Sequence, residues 1–320
     1  MKENLTYTKR RDFAWCPRYF FWRHEQRLEM IAKKPGRRRG FIFGVALQDA
    51  RDSRTEGAGE TEAVKRALDS IKESYETMEQ AGEISSQETA DDLALELVKM
   101  QVVVMGYLMF YGMRPRREVE FHLPLINPST NGRSRVFDLA GKIDGVEIAG
   151  VKHALVIEDK LVQQIQKPMI DRLPLDAQSS EYVDAFLARG WTAEVAYRHT
   201  RWPGINPSKP KGESLDSFQR RLVEDLGERR EFYFDQQILS FPTSHMDDYR
   251  LGRYGTARMI MHARRERDYR IGFPMNPTRC WEFGGCEFIP LCTQRPDAEA
   301  LYQRRRDNPE LGGDNGDQSA

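Results

Sequence analysis

Apolar and polar positions change their period along the chain, and the changes mark out its elements. The first forty residues gather aromatic and basic side chains ("FAWCPRYFFWRHEQRL"). Phe13, Trp15, Tyr19, Phe20 and Trp22 read there as a helix face packed on a core. "KKPGRRRG" combines proline, glycine and charge and reads as a loop, after which "FIFGVALQDARDS" opens a helix. Residues 61–80 hold Glu, Lys and Ala without Pro or Gly, a helical composition. "GEISSQET" breaks that run. A second helix is expected over about 89–111, carrying Leu93, Leu95, Leu97, Val98, Met100 and Val104 and stopped by Gly112 and Pro115.

Strand patterns follow. "EVEFHLPLI" leads through the turn "NPSTNG" into "RSRVFDLAGKIDGVEI", which holds one or two strands, and then into "HALVIEDKLV". An amphipathic helix is expected from near Asp176 to Gly190, then a strand in "WTAEVAYRHTRW", a loop in "PGINPSKPKGES" and a helix over about 215–230. "RLGRYGTARMIMHARRERDYR" gives one more helix. Helices, a β-meander, a helix and a strand in that order predict an α/β domain on a mixed sheet. The end, "RDNPELGGDNGDQSA", is poor in apolar residues and is expected to be disordered.

Composition narrows the class. The chain has 320 residues, 39% hydrophobic and 31% charged, as globular proteins do. No apolar run approaches a membrane span and the N-terminus carries no apolar leader, so a cytoplasmic protein without membrane association is expected. Lys plus Arg equals Asp plus Glu at 49 each, which argues against coating nucleic acid through bulk charge. Basic clusters do occur at Lys9 to Arg11, Lys33 to Arg39, Arg114 to Arg117, Arg198 to Lys211 and Arg264 to Arg270. Each alone reads as a solvated face; they acquire meaning only by converging on one cleft.

The strand "ALVIEDKLV" ends in charges that do not belong in a core. Period two puts Glu158 and Lys160 on one face and Asp159 on the other. If "GKIDG" lies on the neighbouring strand, Asp144 approaches Glu158, and two adjacent carboxylates call for a cation between them. Magnesium or manganese accepts one or two carboxylates plus water and phosphate oxygens. A lysine alongside can orient or activate the attacking water.

Asp144 with the Glu158-Asp159-Lys160 triplet resembles the D…(D/E)-x-K signature of the PD-(D/E)XK nuclease superfamily, in its RecB/AddB-like branch. Gln178 and Tyr182 in "DAQSSEYVDAF" match that branch's Q-x-x-x-Y motif, and spacing by four puts both on one helix face. The resemblance implies a mixed sheet flanked by helices in one nuclease domain over 1–305. Within it would lie a helical insertion at about 54–112, a catalytic core at about 113–205 and a helical, cysteine-bearing region at about 212–296, with 306–320 a tail. It implies metal ligands at Asp144, Glu158 and the Asp159 backbone carbonyl, and catalytic or bracing roles for Lys160, Gln178 and Tyr182. The family's G-x-x-x-H histidine is replaced: the matching stretch is Gly44 to Gln48, where glutamine offers only a neutral oxygen. Gln48 is then a weak ligand, or Asp49 or Asp52 substitutes, or the position contributes nothing; Glu120 is a further acidic candidate.

"CWEFGGCEFIPLC" spaces Cys280, Cys286 and Cys292 as C-x₅-C-x₅-C, and Cys16 in "WCPRYF" is the fourth and last cysteine. A structural zinc site normally shows closer pairs, a disulfide set is disfavoured in the cytosol, and free buried thiols remain open. One N-terminal with three C-terminal cysteines also resembles the iron–sulfur staple of the same branch, which implies a 4Fe–4S cluster. The expected function is a divalent-metal-dependent exonuclease on DNA, single-stranded or duplex ends. Arg37, Arg38, Arg39 and Arg201 are candidate phosphate binders. The rival expectation is a DNA-binding or scaffold protein that has kept the fold and lost catalysis, and a weaker one is an iron–sulfur protein with an accidental D…E-x-K.

Overall fold

A computed structural model gives the fold and describes residues 2–85, 87–112, 117–208, 210, 212–282, 285–308 and 311. It is a mixed α/β arrangement in which one six-stranded mixed sheet is flanked by helices. The chain enters through β1 (Glu3–Leu5), α1 (Tyr7–Trp15), α2 (Pro17–Phe20), a π-helical turn (Phe21–Glu25) and β2 (Leu28–Met30). Long helices α3 (Pro35–Thr55), α4 (Glu60–Gln80) and α5 (Ala90–Tyr111) precede the meander of β3 (Arg117–Ile126), β4 (Arg133–Gly150) and β5 (His153–Val162). Then come α6 (Lys167–Ile170), α7 (Ala177–Leu187), β6 (Thr192–Arg201), α8 (Leu215–Glu228), α9 (Arg230–Tyr233), β7 (Phe234–Leu239) and α10 (Thr243–Ala263). Short α11 (Tyr269–Gly272), α12 (Ile289–Cys292) and β8 (Tyr302–Arg304) close the chain, β8 pairing with β2.

The long strand β4 organises the sheet. One edge of it carries β3; the other carries β1 at Phe137 to Leu139 and β5 from Gly145 onward. Beyond β5 lie β6, parallel to it, and the antiparallel edge strand β7. Gly141 makes the β3 contact possible, since an added Cβ would fall 2.4 Å from the Phe121 ring. Helices α3, α4, α5 and α8 enclose one core with Ile42, Phe43, Ile71, Val103, Tyr107 and Phe218. On the sheet's other side α7 and α10 pack over Val156, Val195, Tyr182 and Met246.

The aromatic N-terminus is core as expected: Phe13, Tyr19 and Phe20 are buried. "KKPGRRRG" is not a loop. Pro35 occupies the first turn of α3, where a missing N–H costs nothing, and the arginines are helical. Residues 133–150 form one strand, and α10 begins seven residues before Arg250.

Helix α5 has the length and apolarity of a membrane span, with mean hydropathy 1.6, a run the sequence reading did not credit. Its polar residues show it to be a core helix of this fold. Glu96 is buried against Arg38, and Lys99 Nζ donates to Pro203 O at 3.2 Å and Asn206 Oδ1 at 2.8 Å.

Pro115, Arg114, Arg116, Lys209 and Lys211, and residues 309, 310 and 312–320 of the tail, lie outside the described residues. Within the tail, Asp307 pairs with Lys9 and Leu311 is buried.

Candidate active site

On the edge of β4 shared by β1 and β5, residues 140–144 have no strand partner among the described residues, because β1 stops at Leu139 and the β5 ladder starts at Gly145. A cleft of about 960 Å³ fills this gap. Ala140 to Lys142 and Asp144 line its floor, Asp159 to Leu161 one side, Gln178, Glu181 and Tyr182 of α7 another, and the cleft faces of α1 and α3 the rest.

Continuing the β4–β5 register from Gly145↔Ile157 sets Asp144 opposite Glu158. Asp144 is close enough for its charge to act on Glu158. Glu158 has no exposed surface, and among the described residues no donor other than the Lys160 ammonium reaches its carboxylate. Burial pushes its carboxyl well above the usual range and Asp144 adds to the push, against the pull of Lys160. Lys160 forms an ion pair with Glu158, as the shared strand face requires. Burial works against the Lys160 ammonium, but Glu158, Tyr197 and Asp144 outweigh it and hold the lysine charged.

A directed hydrogen-bond chain anchors that ammonium. Lys160 Nζ donates to Gln178 Oε1 at 3.3 Å, Gln178 Nε2 donates to Tyr182 Oη at 2.6 Å, and the Tyr182 hydroxyl donates to the Lys142 carbonyl at 3.1 Å. Helix α7 presents Gln178 and Tyr182 one turn apart because Asp176 caps its first turn, accepting from Ser179 N at 2.7 Å. Each link fixes the orientation of the next, so the amide oxygen of Gln178 is the atom left for the lysine.

The neighbouring carboxylate behaves differently. Asp159 points to the other face of β5, where Arg51 and the Tyr107 hydroxyl donate to it, and Arg198 Nη1 donates to Tyr107 Oη at 3.3 Å. Its side chain is spoken for. Sequence reasoning missed this network; the "QDARDS" segment that bears Arg51 gave no sign of its partner.

Gln48 does reach the cleft, and Asp49 lines it too. Asp52 is not in the lining: it accepts from Gln48 Nε2 at 2.8 Å and leaves the amide oxygen as the free end. Glu120 is exposed and away from the cleft. The arginine candidates separate. Arg37 lines the cleft while pairing with Glu287 and donating to Tyr19 Oη, and Arg38 is fully buried between Glu88 and Glu96 and cannot reach a phosphate. Arg39 is tied to Glu96 and lies over Trp202, and Arg201 stacks on Phe232. Tyr7, Thr8, Arg11 and Phe41 line the cleft without having been singled out for it; the basic run Lys9 to Arg11 was the one available signal.

Among the described residues no group of three or more His, Cys, Asp or Glu side chains is gathered as a metal site. The carboxylate pair alone still suits a hard divalent ion, which needs only one or two carboxylates besides water and phosphate.

The four cysteines are all unpaired. Cys16 at the α1–α2 junction and Cys286 share one small core with Tyr19, Phe288 and Tyr302. Burial pushes the Cys286 thiol up to about 12, with Cys280, Cys292 and Cys16 adding to the push against a backbone hydrogen bond from Phe288. Asn276 N–H donates to Cys16 Sγ and Phe288 N–H to Cys286 Sγ, both at 3.4 Å. The four thiols are near enough to act on one another's charge but are not gathered as a group of three or more among the described residues.

No family model matches the chain, and no curated protein matches it.

Proposed function

We propose that this protein is a divalent-metal-dependent deoxyribonuclease with a PD-(D/E)XK-type core, acting as an exonuclease on DNA. The observation that carries the reading is the acidic pair: Glu158, fully buried and paired with Lys160, falls in register opposite Asp144, and Asp144 and Lys160 line the cleft. Burying such a group costs stability unless something binds it.

Asp144, Glu158 and the Asp159 carbonyl would hold magnesium or manganese, with the Gln48 amide oxygen as a weak fourth donor. The bound ion supplies Lewis-acid polarisation of the phosphate and acidifies a water. The chain's own share is positioning. The Gln178–Tyr182 chain keeps the Lys160 ammonium in the cleft, where it orients the attacking water and balances charge that builds on the phosphate. Arg37 and Arg11 offer cations to the flanking backbone phosphates. A 4Fe–4S cluster on Cys16, Cys280, Cys286 and Cys292 would tie the N-terminal helices to the C-terminal segment, and unpaired cysteines accord with a cytoplasmic setting.

The test titrates magnesium and manganese against linear single-stranded and duplex DNA. Cleavage that needs the ion and disappears in Lys160→Ala supports the reading; ion-dependent cleavage that persists in Lys160→Ala overturns the site. Anaerobically purified protein should be brown and lose its visible absorbance in Cys286→Ala. One observation favours a second reading, a DNA-binding protein without catalysis: Gln48 stands where a stronger ligand would be expected, and its amide is held by Asp52. Binding of DNA without cleavage in either metal would select it.

A further inference from the structure

Phe41 is 55% exposed and lies in the cleft wall. A lone exposed aromatic means little by itself. Its surroundings give it meaning. On α3 it falls one turn after Arg37 and two turns before Gln48, and all three line the cleft. Gly36, Gly40 and Gly44 line the same stretch, and among the described residues a Cβ added to any of them would meet nothing within 4 Å, so the wall is open at those positions. Lys33 sits over the ring at 5.6 Å and is itself held by Glu83 at 2.6 Å. Arg11, 54% exposed, lines the cleft from α1, as do Lys142 and Lys160 from the sheet. Asp49, Asp144, Asp159 and Glu181 share the lining with these cations, and an exposed ring beside Arg37 and Arg11 is the pairing that takes a base and its phosphates together.

We propose that Phe41 is a nucleobase platform: a base unstacked from a single DNA strand lies on its ring, with the adjoining phosphates on Arg37 and Arg11. The inference rests on the DNA reading of the cleft but not on hydrolysis. A duplex keeps its bases stacked on each other and offers no free face to the ring.

The experiment measures binding by fluorescence anisotropy in EDTA, with a labelled single strand, a strand of abasic residues of equal length, and a duplex. Phe41→Ala should bind the single strand about five- to a hundred-fold more weakly, the effect of losing one base–aromatic stack. Phe41→Trp should restore it, and Phe41→Leu, which keeps apolar bulk without a ring face, should not. On the abasic strand and the duplex, parent and Phe41→Ala should bind alike. Equal loss on all three nucleic acids, full affinity in Phe41→Leu, or no single-strand binding by the parent would overturn the platform. Because cleavage is not read, a chain that binds but never cuts would leave the platform standing and remove the nuclease.

Discussion

Glu158→Gln should make the metal-free protein more stable at neutral pH while abolishing its response to metal. The carboxyl has an ordinary value of 4.5 and is pushed up to about 8 in the fold, first by burial and then by Asp144. A raised value means that the folded chain holds this proton where the unfolded chain releases it. Stability is therefore lost as pH rises from 4.5, and the loss levels off past the folded value. At about 1.36 kcal/mol per unit, the loss reaches about 3 kcal/mol by pH 7. Glutamine does not titrate and escapes it, although its unsatisfied amide and the loss of the Lys160 ion pair return about 1–2 kcal/mol of that gain. The net expectation in EDTA at pH 7 is a gain of about 1–2 kcal/mol, roughly 2–4 °C in Tm for a chain of this size, shrinking to nothing or reversing near pH 4.5. With magnesium at ten times its Kd the parent gains about 1.4 kcal/mol and the variant gains none. Thermal melts across pH, with and without magnesium, check both parts. A Glu158→Gln protein less stable than the parent at pH 7 in EDTA would show that Lys160 already neutralises the carboxylate, and the case for a missing cation would fall.

Other outcomes follow from the same geometry. Tyr182→Phe removes the donor to the Lys142 carbonyl and loosens Gln178; kcat should fall while KM for DNA holds, with a stability cost of about 1 kcal/mol by chemical denaturation. Arg38→Ala breaks a buried pairing with Glu88 and Glu96 and should cost about 3–5 kcal/mol in urea unfolding, yet leave the salt dependence of DNA binding unchanged. Gln48→His offers a nitrogen ligand in place of an amide oxygen; half-maximal cleavage should need less manganese, with magnesium affected less. Arg37→Gln should weaken DNA binding and flatten its salt slope by about one unit, measured by anisotropy.

Periodicity exposed the parts of the site that depend on strand phase. Glu158 and Lys160 share a face because they are two apart, and Asp144 meets Glu158 because a meander makes β4 and β5 neighbours. Gln178 and Tyr182 were legible because a helix turn spaces them. Charge runs were not legible in the same way. Arg37, Arg38 and Arg39 are successive on a helix, each turned about 100° from the last, so Arg37 lines the cleft beside Glu287, while Arg38 is buried and Arg39 lies over Trp202, both held by Glu96. Reading "KKPGRRRG" as a loop hid that phase. The edge strand β7 gave no signal because "FDQQIL" places glutamines where an apolar alternation would be. The cleft itself is a gap along one edge of β4, set by where β1 ends and β5 begins, and no local pattern encodes that.

Asp159 and Glu158 stand side by side on one strand, and the fold treats them in opposite ways. Asp159 receives an arginine and a tyrosine hydroxyl, themselves braced by Arg198, so its charge is met by donors built into α3 and α5. Glu158 is the more deeply buried of the two and, among the described residues, is met by the Lys160 ammonium alone, which Gln178 also engages. Buried carboxylates in stable folds are ordinarily satisfied, and each orphaned group costs about 1–3 kcal/mol. The chain has the means to satisfy such a group, since it does so one residue away. Glu158 thus has one cationic partner where Asp159 has two built-in donors, and in the proposed site that lone lysine is what a bound divalent ion would supplement.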